Sequence, residues 1–494
     1  MADTANPFKF DNSYARLPSR FFARVEPVPV SQPGLIAVNR DLARELCLDP
    51  DWLASGQGIE TLAGNRIPRG AESLAMAYAG HQFGQWVPQL GDGRAHLIGE
   101  VRDTNGDLRD IQLKGSGPTP FSRRGDGRAW LGPVLREYIV SEAMHALGIP
   151  STRALAAVTT GEAVFRETAL PGAILTRVAR GHVRIGTFQY FYARNDHEGL
   201  ELLLKHVMDR HYPEAGKSGN PALAVLNSVV CGQAELIAKW LGVGFIHGVM
   251  NTDNMSVACE TVDFGPCAFM DEYAETKVFS SIDQGGRYAF ARQPDIALWN
   301  LAQLATSLLP LIDGDSTKAA TLATDSINQF PDRFSGCFDR VMAKKIGLGE
   351  LRSGDGEIIH ELLKLLELHR IDFTHAFRAL TSDSGKQDGE SGFAQLFAHP
   401  SDAAEWMRKW KARLGQEGSG EDRQRALMRA VNPAIIPRNH QIEIAIEEAC
   451  NGEFLRFHRL NAALQRPFEE RPEFSEFAAA PFPHEVVTQT FCGT

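Results

Sequence analysis

Residues 244–273 read GFIHGVMNTDNMSVACETVDFGPCAFMDEY, and this stretch decides the fold prediction. It is interpreted as the end of a helix, a tight loop, a short strand and a turn at Asp263-Phe264-Gly265. Asn254 precedes Asp263 by nine residues. An Asn carbonyl and an Asp carboxylate placed in this way can meet on opposite sides of a divalent cation that binds phosphate oxygens. Asn254 and Asp263 are therefore candidate metal ligands.

The same stretch resembles the catalytic loop of protein kinases and aminoglycoside-type kinases. In those enzymes a loop of the form His-Gly/Arg-Asp-x4-Asn precedes a metal-binding Asp, often within DFG. His247-Gly248 is present here, and Asn254 follows at the corresponding distance. DFG alone is better explained as a strand that ends in a turn, but the two motifs together favour a functional site.

Two upstream residues fit the same arrangement. Lys114 ends a predicted strand, and Glu137 lies 23 residues later within a predicted helix. In kinase folds a strand Lys paired with a helix Glu holds the nucleotide phosphates. Taken singly, each residue is better explained as a solvated surface group. Their order along the chain, followed by strands, helices and the loop motif, favours a kinase-like domain.

The pattern of apolar residues supports this order of elements. An Asn-Gly turn between 96–102 and 108–114 predicts a β-hairpin, and residues 134–148 have helical spacing that ends at Gly148 and Pro150. Three strands are predicted next, at 153–160, 162–168 and 173–179, with a turn at Thr160-Gly161 between the first two. Helices are predicted at 41–48, 72–78, 200–208, 221–242, 294–312 and 357–372, and loops between helices at 381–425.

The predicted fold is therefore α+β: a bilobal protein-kinase-like fold with an N-terminal extension and a helical C-terminal elaboration. The extension covers residues 1–74, the N-lobe 75–195 and the C-lobe 196–320. Residues 321–494 form the helical C-terminal region with a mobile tail.

Composition limits the classes of function. The 494-residue chain has a formal net charge of −10 and no basic tract, which argues against nucleic acid or a membrane surface as partner. Its seven cysteines are scattered and form no CxxC, as is usual in a reducing compartment. The first twenty residues lack the features of a signal peptide, and no apolar run approaches the roughly 18 residues of a membrane span. We expect a cytoplasmic protein.

One residue departs from the kinase pattern. Val249 follows His247-Gly248 at the position of the kinase catalytic Asp, and a valine cannot accept the proton of a substrate hydroxyl. The chain is then either an inactive kinase-like binder or an enzyme that holds its nucleotide differently and uses another base. Asp253 is the nearest candidate, although an Asp beside Asn254 can equally cap the loop in an Asx turn.

Glycines and arginines supply candidate phosphate contacts. Two GDGR elements, at 91–94 and 125–128, can each present backbone N–H groups and a guanidinium to phosphate. Neither matches the GxGxxG loop of kinases, and each alone is better explained as a turn. Arg177 and Arg184 are further candidates for holding a polyphosphate, with a surface role as the alternative.

Four segments resemble the selenoprotein O family, a kinase-like group of protein adenylyltransferases. They are AMAYAGHQFGQWVPQLGDGRA, DIQLKGSGPTPFSRRGDGRA, RVARGHVRIGTFQYF and HGVMNTDNMS with the later DFGP. With NPAIIPRNH at 432–440, the similarity extends over most of residues 75–450. In this family ATP is bound flipped relative to active kinases, so that AMP is transferred and pyrophosphate is released.

The resemblance implies a role for each candidate. Asp253 would accept the proton of a Ser, Thr or Tyr hydroxyl on a protein substrate, which includes the chain itself in self-modification. Asn254 and Asp263 would hold Mg²⁺ or Mn²⁺, and Glu137 would pair with Lys114. The implied ATP contacts are Gly91, Gly93, Arg94, Lys114, Asp126, Gly127, Arg177, Arg184 and Asp263.

Several alternatives stay open. Transfer of the γ-phosphate by a protein kinase is disfavoured by Val249, and a non-catalytic pseudokinase scaffold by the presence of both metal-ligand candidates. UTP is an alternative donor. In some family members a C-terminal residue forms a disulfide with a Cys after DFG, but residues 271–283 contain no Cys, and the nearest candidate partners are Cys259 and Cys267. A redox switch at Cys492 is therefore doubtful, and a tail thiol without a role is the equal alternative.

Overall fold

A computed structural model describes residues 7–383, 391–418 and 420–491. The described chain is a mixed α/β protein, in agreement with the predicted α+β class, while the bilobal kinase-like arrangement stays a prediction. Its strands are β1 Phe22–Arg24, β2 Gly34–Val38, β3 Leu74–Met76, β4 Gly80–Gln82, β5 Gln85–Val87, β6 Ala95–Arg102, β7 Leu108–Lys114, β8 Ala129–Trp130, β9 Arg153–Phe165, β10 Ala169–Ala179, β11 Phe245–Ile246 and β12 Ala268–Phe269.

The helices lie mostly in the second half of the chain. Their bounds are α1 Arg40–Glu45, α2 Pro50–Leu53, α3 Gly56–Leu62, α4 Leu131–Ala146, α5 Ile185–Tyr192, α6 His197–His211, α7 Pro221–Gly242, α8 Gln293–Ile312, α9 Ser316–Ile327, α10 Phe330–Lys345, α11 Asp355–Leu368, α12 Phe373–Asp383, α13 Ala404–Gly415, α14 Glu421–Arg429, α15 Asn439–Cys450, α16 Leu455–Leu464 and α17 Ser475–Ala478.

An eight-stranded antiparallel sheet forms the centre of the N-terminal half. Its order is β1-β3-β6-β7-β10-β9-β2, with β8 paired to β10. Both edge strands, β1 and β2, come from the segment expected to be an extension. One face packs on α4 and the later helices through a large apolar core. A smaller core beneath α1, α2 and α3 covers the other face.

The predicted β6–β7 hairpin is confirmed. Asp103 Oδ1 accepts hydrogen bonds from the Asn105 and Asp107 amides at 2.9 and 3.0 Å. Gly106 takes a φ of +86°, which costs glycine little. These contacts fix the turn and bring Lys114 opposite Ala95 at the far end of the hairpin. The hairpin therefore delivers Lys114 to one end of the sheet.

Two secondary-structure predictions in this half were wrong. Residues 72–78 contain strand β3 instead of a helix, and all three of its residues are buried, so no polar-apolar alternation marks them. Residues 153–165 form one strand, so two strands follow α4 instead of three. Gly161, the expected turn, lies within β9 at a φ of +71°. The chain reverses later, where the Arg166 amide donates to Thr168.

The helical predictions are largely confirmed. Helices α1, α4, α6, α7, α8 and α11 cover the predicted segments to within a few residues. The expectation of loops at 381–425 was wrong in part, because α13 and α14 lie there. Trp406 and Trp410 of α13 are buried and stack with ring centroids 5.7 Å apart. Burial of these indoles stabilises a helix in a region that is otherwise polar.

The expectation that no apolar segment reaches the length of a membrane span was wrong, because Pro221–Gly242 and Phe290–Ile312 are long and apolar enough by length and composition. Of their most apolar windows, 56% and 50% respectively are buried inside the protein. Core helices of globular proteins commonly have these properties, so the feature is weak support for a membrane span. The expectation that the protein has no membrane partner stays a prediction.

Candidate functional site

A cavity of about 460 Å³ opens where the β6–β7 end of the sheet meets the loop after β11 and the turn at Asp263. The structure brings the predicted site residues together around it. Glu137, on α4, does not line the cavity itself but contacts Lys114 and Arg177, which do. The predicted residues that line the cavity are Gly91, Gly93, Arg94, Lys114, Asp126, Gly127, Arg177, Arg184, Asp253, Asn254 and Asp263.

Lys114 and Glu137 form the predicted ion pair. The Nζ of Lys114 lies 2.5 Å from Glu137 Oε2, and both side chains are mostly buried. Arg177, from β10, donates to the other oxygen of the same carboxylate, with its Nε at 2.7 Å from Glu137 Oε1. Burial opposes ionisation of Glu137, yet Arg177 and Lys114 together lower its pKa. The glutamate therefore fixes two cations at the wall of the cavity.

Asp263 lies at the centre of a cationic cluster. Its Oδ1 accepts from Arg177 Nη2 at 3.0 Å, and its Oδ2 pairs with Arg184. Burial works against the charged carboxyl, but Arg184, Arg177 and Lys114 hold the pKa of Asp263 well below its usual value. Its backbone has a φ of +67°, which is uncommon for a residue with a side chain. The turn thus holds an ionised carboxylate against two arginines.

Asp253 has the opposite environment. It lies in the short turn Thr252–Asn254, and 7% of its surface is exposed. Gln82 Nε2 donates to Asp253 Oδ2 at 3.1 Å, while Oδ1 is buried and has no hydrogen-bond partner among the described residues. Burial raises the pKa of Asp253 to about 6. A carboxylate with one free oxygen and this pKa is suited to accept a proton near neutral pH.

Sequence reasoning missed the hairpin that holds this turn. Strands β4 and β5 pair as a separate two-stranded sheet. The His81 amide donates to Thr252 Oγ1 at 2.8 Å, and the Phe83 amide donates to Asn251 Oδ1 at 2.9 Å. At Gly80 a Cβ atom would lie 2.4 Å from Asp253 Oδ1. The hairpin therefore sets the position of the Asp253 carboxyl and leaves it room.

The two GDGR elements meet at the opening of the cavity. Thr119 Oγ1 donates to the carbonyl of Asp92 at 2.7 Å and so joins the two loops. Gly91 has a φ of +126°, and a Cβ there would lie 2.5 Å from the Phe121 ring. At Gly127 a Cβ would lie 2.1 Å from the backbone of Gly117. Gly91 is required by the close approach of the second loop, and Gly127 by the close approach of another part of its own loop.

Asp126, an expected ATP contact, lines the cavity and also has partners within the protein. Its carboxylate pairs with Arg166 at 2.7 Å and accepts from the Arg128 amide at 2.9 Å. The hydrogen bond from Arg166 lowers its pKa. In this state Asp126 lies in the cavity wall and orders the loop beside it.

Several lining residues were not predicted. Tyr78 places its ring 5.1 Å from the guanidinium carbon of Arg184, and Asp92 is buried with a pKa that burial raises. Arg166 follows the end of β9. Tyr78 and Asp92 lie within or beside the quoted motifs, but neither spacing nor charge separates them from structural residues. Arg166 carries no sequence signal, since only the pairing of β9 with β10 brings it to Asp126.

The chemistry of the donors fits a divalent cation. Asn254 and Asp263 are adjacent, with Asn254 Nδ2 at 2.9 Å from Asp263 Oδ2. An amide oxygen and a carboxylate are ligands that Mg²⁺ and Mn²⁺ accept. Among the described residues no group of three or more His, Cys, Asp or Glu side chains could hold a metal alone. Two protein ligands are enough when phosphate oxygens and water complete the shell, as is usual for Mg²⁺.

The remaining candidate residues are Val249 and the cysteines considered for a redox role. Val249 is buried and lines the cavity, where a kinase would carry its catalytic Asp. Cys259 and Cys267 are free thiols, and Cys267 is fully buried. Burial raises the pKa of Cys259 to about 11, which disfavours a reactive thiolate. Cys492, the candidate for a redox role, lies outside the described residues.

Comparison with known proteins gives a consistent result. A family model described as "Protein adenylyltransferase SelO" matches residues 5–465. The chain is 57% identical over 488 residues to the protein nucleotidyltransferase YdiU of Rhodopseudomonas palustris (strain BisB18), with 99% of each chain covered. It is 55% identical to the proteins of the same name from Methylorubrum populi over 494 residues and Bradyrhizobium diazoefficiens over 488, again with 99% coverage of each.

Proposed function

Because the chain belongs to the SelO family and is a nucleotidyltransferase, we propose that it transfers AMP from ATP to Ser, Thr or Tyr hydroxyls of proteins. One observation carries the proposal: Asp253, whose pKa burial raises to about 6, lines the same cavity as the cations Lys114, Arg177 and Arg184. The kinase position for a base holds Val249 instead. Both features are explained if the nucleotide places its α-phosphate beside the acceptor hydroxyl that Asp253 deprotonates.

In this reaction Asp253 takes the proton of the acceptor hydroxyl. The acceptor oxygen forms a bond to the α-phosphorus, and the bond from that phosphorus to the bridging oxygen of the β-phosphate breaks. Pyrophosphate leaves with the electron pair. Asp253 is charged and competent above its pKa of about 6, so the base is ready at neutral pH.

Lys114, Arg177 and Arg184 bind the phosphate chain. Lys114 and Arg177 contact the buried Glu137, and Arg184 joins Asp263 to the backbone carbonyl of Asp253. Phosphates held by these cations would point inward, with the α-phosphate nearest Asp253. This is the flipped orientation relative to active kinases. Preorganised positive groups stabilise the charge that moves onto the leaving pyrophosphate. Gly91, Gly93 and Gly127 have no side chains, so the nucleotide can approach the backbone of the two GDGR loops closely.

Mg²⁺ or Mn²⁺ would be held by Asn254 and Asp263 together with phosphate oxygens. When bound, the cation supplies positive charge to the polyphosphate. Arg177 and Arg184, which hold Asp263 in this structure, keep the carboxylate ionised and oriented for that role. The domain arrangement that supports this chemistry is a bilobal pseudokinase-like one, in which β6, β7 and α4 carry the Lys114–Glu137 pair.

Two further features belong to the proposal. The acceptors include protein substrates and the chain itself, and the enzyme works in the cytoplasm without nucleic-acid or membrane partners. UTP is a second donor, since none of the named phosphate contacts distinguishes one base from another. Phosphotransfer from the γ-phosphate is disfavoured by Val249, and a non-catalytic scaffold by the pairing of Asn254 with Asp263.

Mass spectrometry of an acceptor protein after reaction with ATP tests the proposal. We expect the mass added to Ser, Thr or Tyr to be that of AMP, with one pyrophosphate released per modification. The Asp253→Asn variant provides the control, since it keeps the size of the side chain and removes the base. Addition of a phosphate, with ADP as the product, would contradict the proposal.

A further inference from the structure

The β4–β5 hairpin is bound to the protein through its β4 edge, and its β5 edge pairs with no further described strand. Its β4 edge is bound to the turn that carries Asp253, through the His81 and Phe83 amides. Strand β5 pairs only with β4 among the described strands. Two of its three residues, Gln85 and Trp86, are exposed. A free strand edge presents unpaired N–H and C=O groups that can pair with another extended chain.

An aromatic surface adjoins this free edge. We call Phe83, Trp86, Arg287 and Trp299 the hairpin patch. The rings of Trp86 and Trp299 lie 4.9 and 5.3 Å from the ring of His81, which stands between them. Trp86 is 39% exposed. Aromatic side chains that protrude next to an arginine are the residues that most often carry binding energy at protein interfaces.

Arg287 gives the patch a charge preference. Its guanidinium carbon lies 5.0 Å from the Trp299 ring and 5.8 Å from the Tyr288 ring. Its side chain hydrogen-bonds the Tyr288 hydroxyl, while its buried Nε has no hydrogen-bond partner among the described residues. No carboxylate of the described residues forms an ion pair with it. An arginine held between aromatic rings without a counter-ion is ready to bind a carboxylate from outside.

We propose that the hairpin patch and the free edge of β5 bind an extended, acidic segment of the protein acceptor. This inference rests on the proposed function and names the surface through which that site takes its substrate. The segment pairs with β5, its apolar side chains contact Trp86 and Trp299, and an Asp or Glu pairs with Arg287. Gln82, on the same hairpin, donates a hydrogen bond to Asp253. A segment bound to β5 would therefore place its neighbouring residues close to the base.

The geometry also sets the spacing between the acidic residue and the acceptor hydroxyl. A segment added to β5 lies three strand spacings, or about 15 Å, from the turn at Asp253, because β5 and β4 stand between them. An extended chain covers that distance in about four residues. The acidic residue is therefore expected about four positions from the Ser, Thr or Tyr that is modified.

An oriented peptide library tests the inference. Each peptide carries one central Tyr, Ser or Thr with randomised flanks, and incorporation of label from [α-³²P]ATP is measured. Wild-type enzyme should select Asp or Glu about four positions from the acceptor. Trp86→Ala and Arg287→Met should each lower kcat/KM for the selected peptide by about tenfold while leaving the Kd for ATP unchanged. Arg287→Glu should move the preference from acidic to basic peptides.

Matched controls lie on other surfaces. Leu368→Ala removes an apolar side chain that is 77% exposed, and Arg423→Met removes an exposed arginine. Both should transfer label at the wild-type rate. Fluorescence polarisation of the selected peptide reports binding apart from chemistry. The measured affinity should fall in Arg287→Met and stay at the wild-type value in Arg423→Met.

Two results would overturn the inference in distinguishable ways. If wild-type enzyme transfers label but Trp86→Ala and Arg287→Met match it and Arg287→Glu keeps the same preference, the docking surface is wrong and the proposed function stands. If wild-type enzyme transfers no α-phosphate label to any peptide or to itself, the proposed function and the docking inference fail together.

Discussion

Two carboxylates ten positions apart in the chain lie in the same cavity under opposite conditions. Asp263 is held by Arg177, Arg184 and Asn254, and its pKa lies well below the usual value. Asp253 has one weakly held oxygen and one unpaired oxygen, and burial raises its pKa to about 6. The environment, and not the residue type, divides their roles. Asp263 is built to stay charged, and Asp253 is built to exchange a proton.

Asp263→Ala should have the largest effect on activity. The substitution removes a proposed metal ligand and leaves Arg177 and Arg184 without their shared partner. We expect label transfer from [α-³²P]ATP to fall by at least about a thousandfold, since such preorganised charge supplies several kcal/mol. Circular dichroism of the variant is the control for folding. Full activity in a folded Asp263→Ala protein would show that the carboxylate has no role in the reaction.

Asp253→Asn should reduce turnover while leaving the nucleotide bound. Removal of a general base costs roughly 10²–10⁴-fold in rate. The Kd for ATP, measured by calorimetry, should change little, because Lys114, Arg177 and Arg184 are retained and Arg184 contacts Asp253 through the backbone carbonyl, which the substitution leaves in place. If ATP binding is lost along with turnover, Asp253 has a structural role as a cap of the loop. The assignment of proton transfer to Asp253 would then be wrong.

The two carboxylates should also differ in their effect on stability. Because the folded-state pKa of Asp253 is about 6, against 3.8 for an ordinary Asp, the folded protein holds that proton more tightly than the unfolded chain does. The contribution of Asp253 to the free energy of unfolding therefore falls as the pH rises from about 4 to about 6. Above pH 6 the buried, charged carboxylate destabilises the folded protein by its full amount. At pH 8, Asp253→Asn should raise the free energy of unfolding by roughly 1–3 kcal/mol.

Asp263→Asn should act in the opposite direction at the same pH. It leaves two buried guanidinium groups without their partner, at a cost on the order of 3 kcal/mol. Thermal unfolding of both variants at pH 5 and pH 8 measures the contrast. Equal shifts in the two proteins, with the same sign, would mean that the two environments are alike.

Val249→Asp should produce the smallest change. A carboxylate at the kinase position cannot reverse the nucleotide, because the orientation is set by Lys114, Arg177 and Arg184. We expect no transfer from [γ-³²P]ATP to protein. Val249→Asn is the matched control for added polarity in the cavity. Robust γ-phosphate transfer in the Asp variant alone would refute the flipped orientation.

The sequence predicted the residues of the cavity better than the elements that hold them. The Asn105-Gly106 turn and the periodic helices were correct because local chemistry determines them. The Lys114–Glu137 pair was also correct, although it joins a strand to a helix, because the order of elements restricted its partners. The turn and the helices depended on patterns within short stretches of chain, and the ion pair depended on the order of the elements along it.

The rest depends on contacts that a local pattern does not contain. Strand β3 is buried on all sides, so its sequence has no alternation and is hard to distinguish from a helix. Gly161 has the φ expected of a turn, but lies within a strand because β10 pairs with both of its sides. The short β4–β5 hairpin exists because the turn at Thr252–Asn254 binds its backbone. No local signal marks the position at which Gln82 meets Asp253.

One measurement tests the central claim most directly. Purified wild-type, Asp253→Asn and Asp263→Asn proteins are incubated with an acceptor protein and ATP labelled at the α- or the γ-phosphate. The account predicts label on protein from the α-phosphate only, in the wild-type enzyme, with large losses in both variants and ATP still bound by Asp253→Asn. Label from the γ-phosphate, or equal α-label in all three proteins, would contradict it.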